Sequence, residues 1–286
     1  MKRACKKNYS QEKDYNCEFH LTKTNNSNNM GKYFIIIAIL CFTNTYFSQT
    51  INVLTYNIFH GANTDGSNNY DKIADIIKDV DPDFVALQEV DFRTNRVKKV
   101  DLSQIIGSKI NMVSLFGKAM NFDDGEYGVA ILSKRSIISS KNIALPFHNG
   151  NEPRTVLQIV TTLETGDTVS FICTHLDYKP NSLERIEQVN KINELFASSK
   201  YPTILAGDFN DVPNSKTISI LEKFWQPTYD KSNPELTFPS NNPDRKIDYV
   251  MFNPKEKWKL IDRKVICDSV ATDHCGYFVS LKLLKW

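Results

Sequence analysis

The chain has 286 residues, 41% apolar and 24% charged, which excludes a fibrous or disordered polypeptide and permits one large core or two small ones. Its formal charge of +2 is uneven: residues 1–49 hold seven Lys/Arg and three acidic residues, leaving 28 Lys/Arg against 30 Asp/Glu from residue 50 onward. A body of net charge −2 has no global attraction for a polyanion, so charge alone does not favour tight binding to long nucleic acid.

The first 29 residues are polar and rich in Asn and Lys, and read as a non-native extension from an over-long reading frame or as a disordered tail. Residues 30–49 read as a signal peptide. Met30 opens a short basic head ending at Lys32, and Tyr33–Phe42 is an unbroken apolar run. That run is short of the roughly 20 residues a membrane span needs, and its length suits export to the periplasm or beyond. A membrane anchor is the alternative. Cys41 follows a bulky Leu40, which argues against a lipoprotein, and cleavage falls near Ser48.

One domain is expected over residues 50–286. Ile51–Ile58 reads as a strand. Ile73, Ile76, Ile77 and Val80 recur at helical spacing in Tyr70–Val80, and Asp81–Pro82 stops that helix. Phe84–Val90 is strand-like, Leu102–Met112 amphipathic, and Gly128–Ser133, Val156–Leu163 and Val169–His175 are again strand-like. Ser182–Ser198 carries Ile186, Val189, Ile192, Leu195 and Phe196 on one helical face. A strand at Thr203–Ala206 and a helix around Ser215–Trp225 follow, then strands at Ile247–Phe252, Lys264–Asp268 and Tyr277–Leu284. Roughly ten strands and four helices predict a two-sheet α/β sandwich with helices outside. A single open parallel sheet fits less well, because many strands follow one another without a crossover helix.

Cys173, Cys267 and Cys275 show no CxxC or zinc-ligand spacing. A disulfide between Cys267 and Cys275 is conceivable in an oxidising compartment; small buried hydrophobes are the simpler reading.

Polar residues collect at the ends of these apolar strands. Asn57 follows VLTY, Glu89 follows FVALQ, His175 and Asp177 follow SFICT, and Asp208 and Asn210 follow TILAG. Asp248 opens YVMF, and Asp273–His274 precede the last strand. A carboxylate entering an apolar strand loses solvation, which costs free energy unless a partner or a metal compensates. One such residue is ordinarily a cap or an ion pair, but six strand ends of one kind can converge at a sheet edge. An oxygen-rich set without Cys partners suits Mg²⁺, Mn²⁺ or Ca²⁺ rather than zinc.

The strings Leu54-Thr-Tyr-Asn-Ile58, Leu87-Gln-Glu-Val90, Tyr127-Gly-Val-Ala-Ile-Leu-Ser133, Thr174-His-Leu-Asp177, Gly207-Asp-Phe-Asn210, Ile247-Asp-Tyr-Val250 and Thr272-Asp-His274 occur in that order. On these motifs the chain resembles the endonuclease/exonuclease/phosphatase (DNase I-like) superfamily over nearly all of residues 51–285. The further strings Gln88-Glu-Val-Asp91 and Glu152-Pro-Arg154 resemble a bacterial branch of exported or cytoplasmic hydrolases. The resemblance implies a four-layered α/β sandwich of two mainly antiparallel sheets flanked by helices. It also implies Glu89 as principal metal ligand with Asn57 and Asp273 beside it, and Asp208 and Asn210 holding the attacking water and the phosphate. His274, oriented by Asp248, would be the base or the group stabilising transition-state charge, and His175 would contact a non-bridging oxygen. One departure is visible: Gly276 stands where a Pro usually follows the last motif.

Phosphate-ester hydrolysis needs these groups. A hard cation neutralises charge on the phosphoryl oxygens, and a base opposite the leaving group accepts the proton of water. Arg154 and Arg245 are candidates for further phosphate contacts, since guanidinium forks match phosphate oxygens. Tyr127 is a candidate pocket residue, and Arg93, Arg96, Lys98 and Lys99 read as a solvated charge run. The activity expected is that of a magnesium- (or Mn²⁺/Ca²⁺-) dependent phosphodiesterase acting on a small molecule, a lipid head group or nucleic acid, as a monomer without an obligate protein partner. A phosphomonoesterase and a catalytically silent binding module are the alternatives.

Overall fold

In a computed structural model, residues 49–68, 70–148, 150–180 and 182–284 are described. The signal peptide and the N-terminal extension read from the sequence lie outside them.

Two six-stranded sheets form the centre. The first contains β1 (Thr50–Asn57), β2 (Phe84–Phe92), β3 (Val113–Phe122), β4 (Gly125–Ser133), β11 (Trp258–Ile266) and β12 (Gly276–Leu283), in the order β11-β12-β1-β2-β4-β3. The second contains β5 (Ser139–Ala144), β6 (Thr155–Thr162), β7 (Thr168–His175), β8 (Thr203–Asp208), β9 (Gln226–Pro227) and β10 (Asp248–Asn253), in the order β5-β6-β7-β8-β10-β9. Each sheet holds one parallel pair, β1 with β2 and β7 with β8; the remaining pairs are antiparallel.

The strands alternate or run continuously apolar because most are covered on both faces. Val53, Phe84, Ile131 and Val279 from the first sheet meet Ile159, Phe171, Leu205 and Met251 from the second in one continuous core. Helix α1 (Tyr70–Val80) and helix α2 (Leu102–Lys109) cover the outer face of the first sheet through Ile73, Ile77, Leu102 and Ile106. Helix α3 (Leu183–Phe196) and helix α4 (Lys216–Leu221) place Val189, Ile192, Phe196, Ile218 and Leu221 on the second. The result is the expected four-layered sandwich. Asp101, Ser182 and Ser215 cap the starts of α2, α3 and α4 by accepting from Gln104 N, Arg185 N and Ile218 N.

Three strands went unread in the sequence, for a common reason. β3 and β5 lie at sheet edges, with mostly half-buried or exposed residues, and so lack the period-two signal; β9 is only two residues long. β11 begins at Trp258, earlier than the Lys264 expected, and a register shift between Leu260 and Asp262 breaks its alternation. Helix α4 stops at Leu221 rather than running to Trp225, whose indole is buried and donates to Asn193 Oδ1. Cys267 and Cys275 form a disulfide, so the reading of both as simple buried hydrophobes is replaced; Cys173 is buried and free.

Candidate active site

The register of the second sheet brings three of the predicted residues side by side. His175 ends β7 and pairs with Asp208, which ends the parallel neighbour β8; Asp208 pairs in turn with Asp248, the first residue of β10. The first sheet contributes Asn57 at the end of β1 and Glu89 in β2. At Glu89 the pairing with β4 skips between Leu87 and Val90, and Glu89 adopts a φ of 57°. Such a bulge re-aims a side chain out of the regular pleat. The segment before β12 supplies Asp273 and His274, tied to β1 by the Thr272 hydroxyl donating to Asn57 O at 2.9 Å.

Asn57 is the hub. Its buried Nδ2 lies 3.1 Å from Glu89 Oε1, 3.2 Å from Asp208 Oδ2 and 3.5 Å from His274 Nε2, while its Oδ1 accepts from Phe59 N. His274 Nδ1 sits 3.1 Å from Asp248 Oδ2, and its Nε2 faces Asp208 Oδ2 at 3.7 Å. Asn210, at φ 50°, donates from its backbone N to Asp208 Oδ1 and from Nδ2 to Leu176 O.

Arg154 is buried, lies 3.1 Å from Glu152, and puts Nη1 3.0 Å from His175 Nδ1. Its Nε is buried without a hydrogen-bond partner among the described residues. Tyr127 is buried opposite Asp91, and Glu89 adds to burial in raising its phenol well above the ordinary value. Arg245 stands further out: it is half exposed, lies over the Phe238 ring at 4.8 Å and pairs with Asp244, and the Phe238 ring touches that of His274 at 4.7 Å. Arg245 lines the mouth of a cleft of about 610 Å³ that also borders Tyr178, Val212 and Asn210. The charge run is not uniformly solvated, since Arg96 forms a two-pronged pair with buried Asp91 at 2.6 and 2.7 Å. Asp177 stays out of the cluster and receives the Lys179 backbone N–H.

The electrostatics follow from many acids and few cations. Burial opposes ionisation of Glu89, but His60 and Asn57 outweigh it and hold the carboxyl down to about 2. Burial and then Asp248 push Asp208 up to about 7. Burial also disfavours charge on His274, yet the flanking Asp248 and Asp208 raise it to about 10. Burial, reinforced by Arg154, drives His175 well below its usual value and keeps it neutral. Asp273 is raised by burial and by Glu89.

These residues fit a divalent cation. Glu89 is ionised and largely buried, and among the described residues no Lys or Arg pairs with it; its ion-pair neighbour is His60 at 3.8 Å. Asp208, Asp248 and His274 also come within 4.8 Å of one another. That trio suits a proton-handling pair better than an ion cage, because Asp248 already occupies His274 Nδ1. The sequence reading passed over His60, which follows Asn57 by three residues but belongs to a turn rather than a strand end.

The profile of the "Endonuclease/Exonuclease/phosphatase family" matches residues 54–274, and the chain belongs to that family. Its fold is similar to that of an endonuclease/exonuclease/phosphatase from Bacteroides vulgatus at TM-score 0.68 and 18% identity, over 82% of this chain and 100% of that one. The corresponding protein of Beutenbergia cavernae matches at TM-score 0.65 and 21% identity, over 82% and 72%. A mannosyl-6-phosphatase of Bacteroides thetaiotaomicron matches at TM-score 0.62 and 18% identity, over 81% and 99%.

Proposed function

We propose that this member of the endonuclease/exonuclease/phosphatase family is a divalent-metal-dependent phosphodiesterase that cleaves its ester by in-line attack of water. The observation that carries the reading is the hydrogen-bonded cluster of Asn57, Glu89, Asp208 and His274, drawn from both sheets and the segment before β12. Glu89 would hold the cation with Asn57 and Asp273 beside it. Such an ion, Mg²⁺ or Mn²⁺ first, supplies charge neutralisation to the phosphoryl group.

The remaining steps belong to side chains of this chain. Asp208, raised toward 7, accepts the proton as the water oxygen bonds to phosphorus. His274, kept protonated by its two carboxylate neighbours, stabilises charge on the phosphoryl oxygens. The ester P–O bond breaks, and the departing alkoxide takes its proton from solvent. Neutral His175 and the Asn210 amide donate to a non-bridging oxygen.

A diester has two arms, and two hollows border residues that neighbour the cluster on different sides. One borders Asn210, and the other, of about 350 Å³, borders His60. This supports a diester over a monoester. Similarity to a mannosyl-6-phosphatase motivates the second reading, a sugar-phosphate monoesterase. Export is proposed with the activity, and the Cys267–Cys275 disulfide supports an oxidising compartment.

The test is hydrolysis of bis(p-nitrophenyl) phosphate and of p-nitrophenyl phosphate, with and without EDTA. Loss of diesterase activity on chelation and in Glu89→Ala is the expected result. Activity that survives both sinks the proposal, and preferential release of inorganic phosphate from the monoester favours the second reading.

A further inference from the structure

Between β1 and α1 the chain makes a tight turn, Phe59–Gly61, whose first two residues both adopt left-handed backbone, at φ 46° and 45°. That region is disfavoured for residues with a Cβ; His enters it more readily than most, whereas a bulky Phe rarely does. The turn is fixed from several sides. Phe59 N donates to Asn57 Oδ1, Gly61 N to Ile58 O at 2.8 Å, and Ala62 N to Phe59 O at 2.9 Å. The Phe59 ring rests 4.5 Å from the His60 ring. The consequence is that His60 is held beside Glu89, itself at φ 57°. Strained backbone that persists on both sides of one gap points to a function located in the gap.

The gap has a definite size. His60 Nδ1 and Glu89 Oε2 are 3.8 Å apart, too long for a hydrogen bond. Two donors on one six-coordinate ion with bonds of about 2.1 Å stand roughly 3.0 Å apart when adjacent and roughly 4.2 Å apart when opposite. The observed spacing falls between the two, so seating both atoms on one ion takes a side-chain shift of about half an ångström. Both side chains are partly accessible to solvent, at 21% and 23%, and His60 borders the hollow shared with Asn63, Thr64 and Arg96.

We infer that His60, through Nδ1, is a nitrogen ligand of the cation held by Glu89, and that it biases the site toward Mn²⁺ over Mg²⁺. The inference rests on the metal-dependent reading above and deepens it. An imidazole raises affinity for first-row transition ions far more than for Mg²⁺, which prefers oxygen.

The experiment uses the full chain with Mn²⁺ or Mg²⁺ as the only added ligand. Affinities are taken by titration calorimetry, and nitrogen coordination is read from the ¹⁴N modulation of the Mn²⁺ electron spin echo. The variants are His60→Gly and His60→Asn, because Gly and Asn tolerate the left-handed conformation. The native protein is expected to bind Mn²⁺ at least tenfold more tightly than Mg²⁺. His60→Gly should lose the nitrogen signal and weaken Mn²⁺ binding about tenfold, while Mg²⁺ affinity changes less than threefold; His60→Asn should bring the two affinities within about threefold. A nitrogen signal and an Mn²⁺ preference that both persist in His60→Gly overturn the role of His60 alone. If neither ion binds the native protein, the metal-dependent reading falls as well.

Discussion

Arg154 Nη1 lies 3.0 Å from His175 Nδ1. A guanidinium group can only donate, so His175 Nδ1 must present a lone pair and the ring proton must reside on Nε2. That proton faces Asn210 Nδ2 at 3.0 Å, which is itself a donor because it serves Leu176 O at 3.0 Å. Two donors thus converge on a point where the protein supplies only Asp208 Oδ2, 3.5 Å from the imidazole. Under the proposed function, a phosphoryl oxygen would accept from both donors there.

Removing the guanidinium should release the tautomer. In Arg154→Met, ¹⁵N spectra of His175 are expected to change from the Nε2–H form to a mixture, with kcat falling about 10- to 100-fold. Arg154→Lys should retain part of both, because an ammonium also donates. An unchanged His175 spectrum in Arg154→Met argues that this contact does not set the tautomer.

The Asp248–His274 pair makes a second prediction. His274→Ala should lower kcat by at least ~10²-fold. In Asp248→Asn, the pKa of His274 should fall from about 10 toward its ordinary range, as followed by proton NMR. The sign is that of a raised folded-state value: the stability gained from protonated His274 is complete below about 6.5 and is lost as pH climbs through about 10. The gap in stability between native protein and Asp248→Asn should therefore shrink over that interval. A gap that widens with alkalinity counts against the pairing.

Lys246 carries the opposite sign. It is buried, its Nζ has no hydrogen-bond partner among the described residues, and it sits 3.1 Å from the centre of the Tyr277 ring. Burial lowers its pKa to about 7, with Asp248 opposing. Between about 7 and 10.5 the unfolded chain binds a proton that the folded one refuses, so folding is penalised increasingly as pH falls through that window. Lys246→Met should stabilise the protein by at least ~1.4 kcal/mol, one pKa unit's worth, at pH 7, with the gain vanishing above about 10.5. Urea unfolding at pH 7 and pH 10.5 measures it; equal gains at both rule out the titration argument.

Gly207 precedes Asp208 where β7 and β8 run in parallel register. A Cβ there would meet Thr174 O at 2.1 Å, and that backbone cannot yield without moving His175 away from Asp208. Gly207→Ala should destabilise the fold by about 2 kcal/mol or more and depress activity with it. A denaturation midpoint equal to that of the native protein would show that the two strands can spread freely.

Much of the candidate site could be read in advance because its polar residues interrupt strong local patterns. Asn57, Glu89, His175, Asp208 and Asp248 each stand at or near the end of an apolar run, where a polar side chain is conspicuous. Arg245 was legible as a basic residue near a motif, but not as one set at the cleft mouth over Phe238. Arg154 was legible as a candidate for a phosphate contact, but not as the partner of His175. His60 gave no periodic signal at all, since a three-residue turn has none.

The amino-acid order by itself determined the interior strands, which of their faces are buried, and that hard-ligand and imidazole groups stand at strand ends. It could do so because side-chain alternation and helical spacing are local properties. Only the tertiary structure decided who touches whom. Asn57 meets Asp208 and His274 across 151 and 217 positions of chain, and the bulge at Glu89 selects the face it presents. Those contacts depend on strand register and side-chain direction to within an ångström, and hydrophobic patterning constrains neither that tightly.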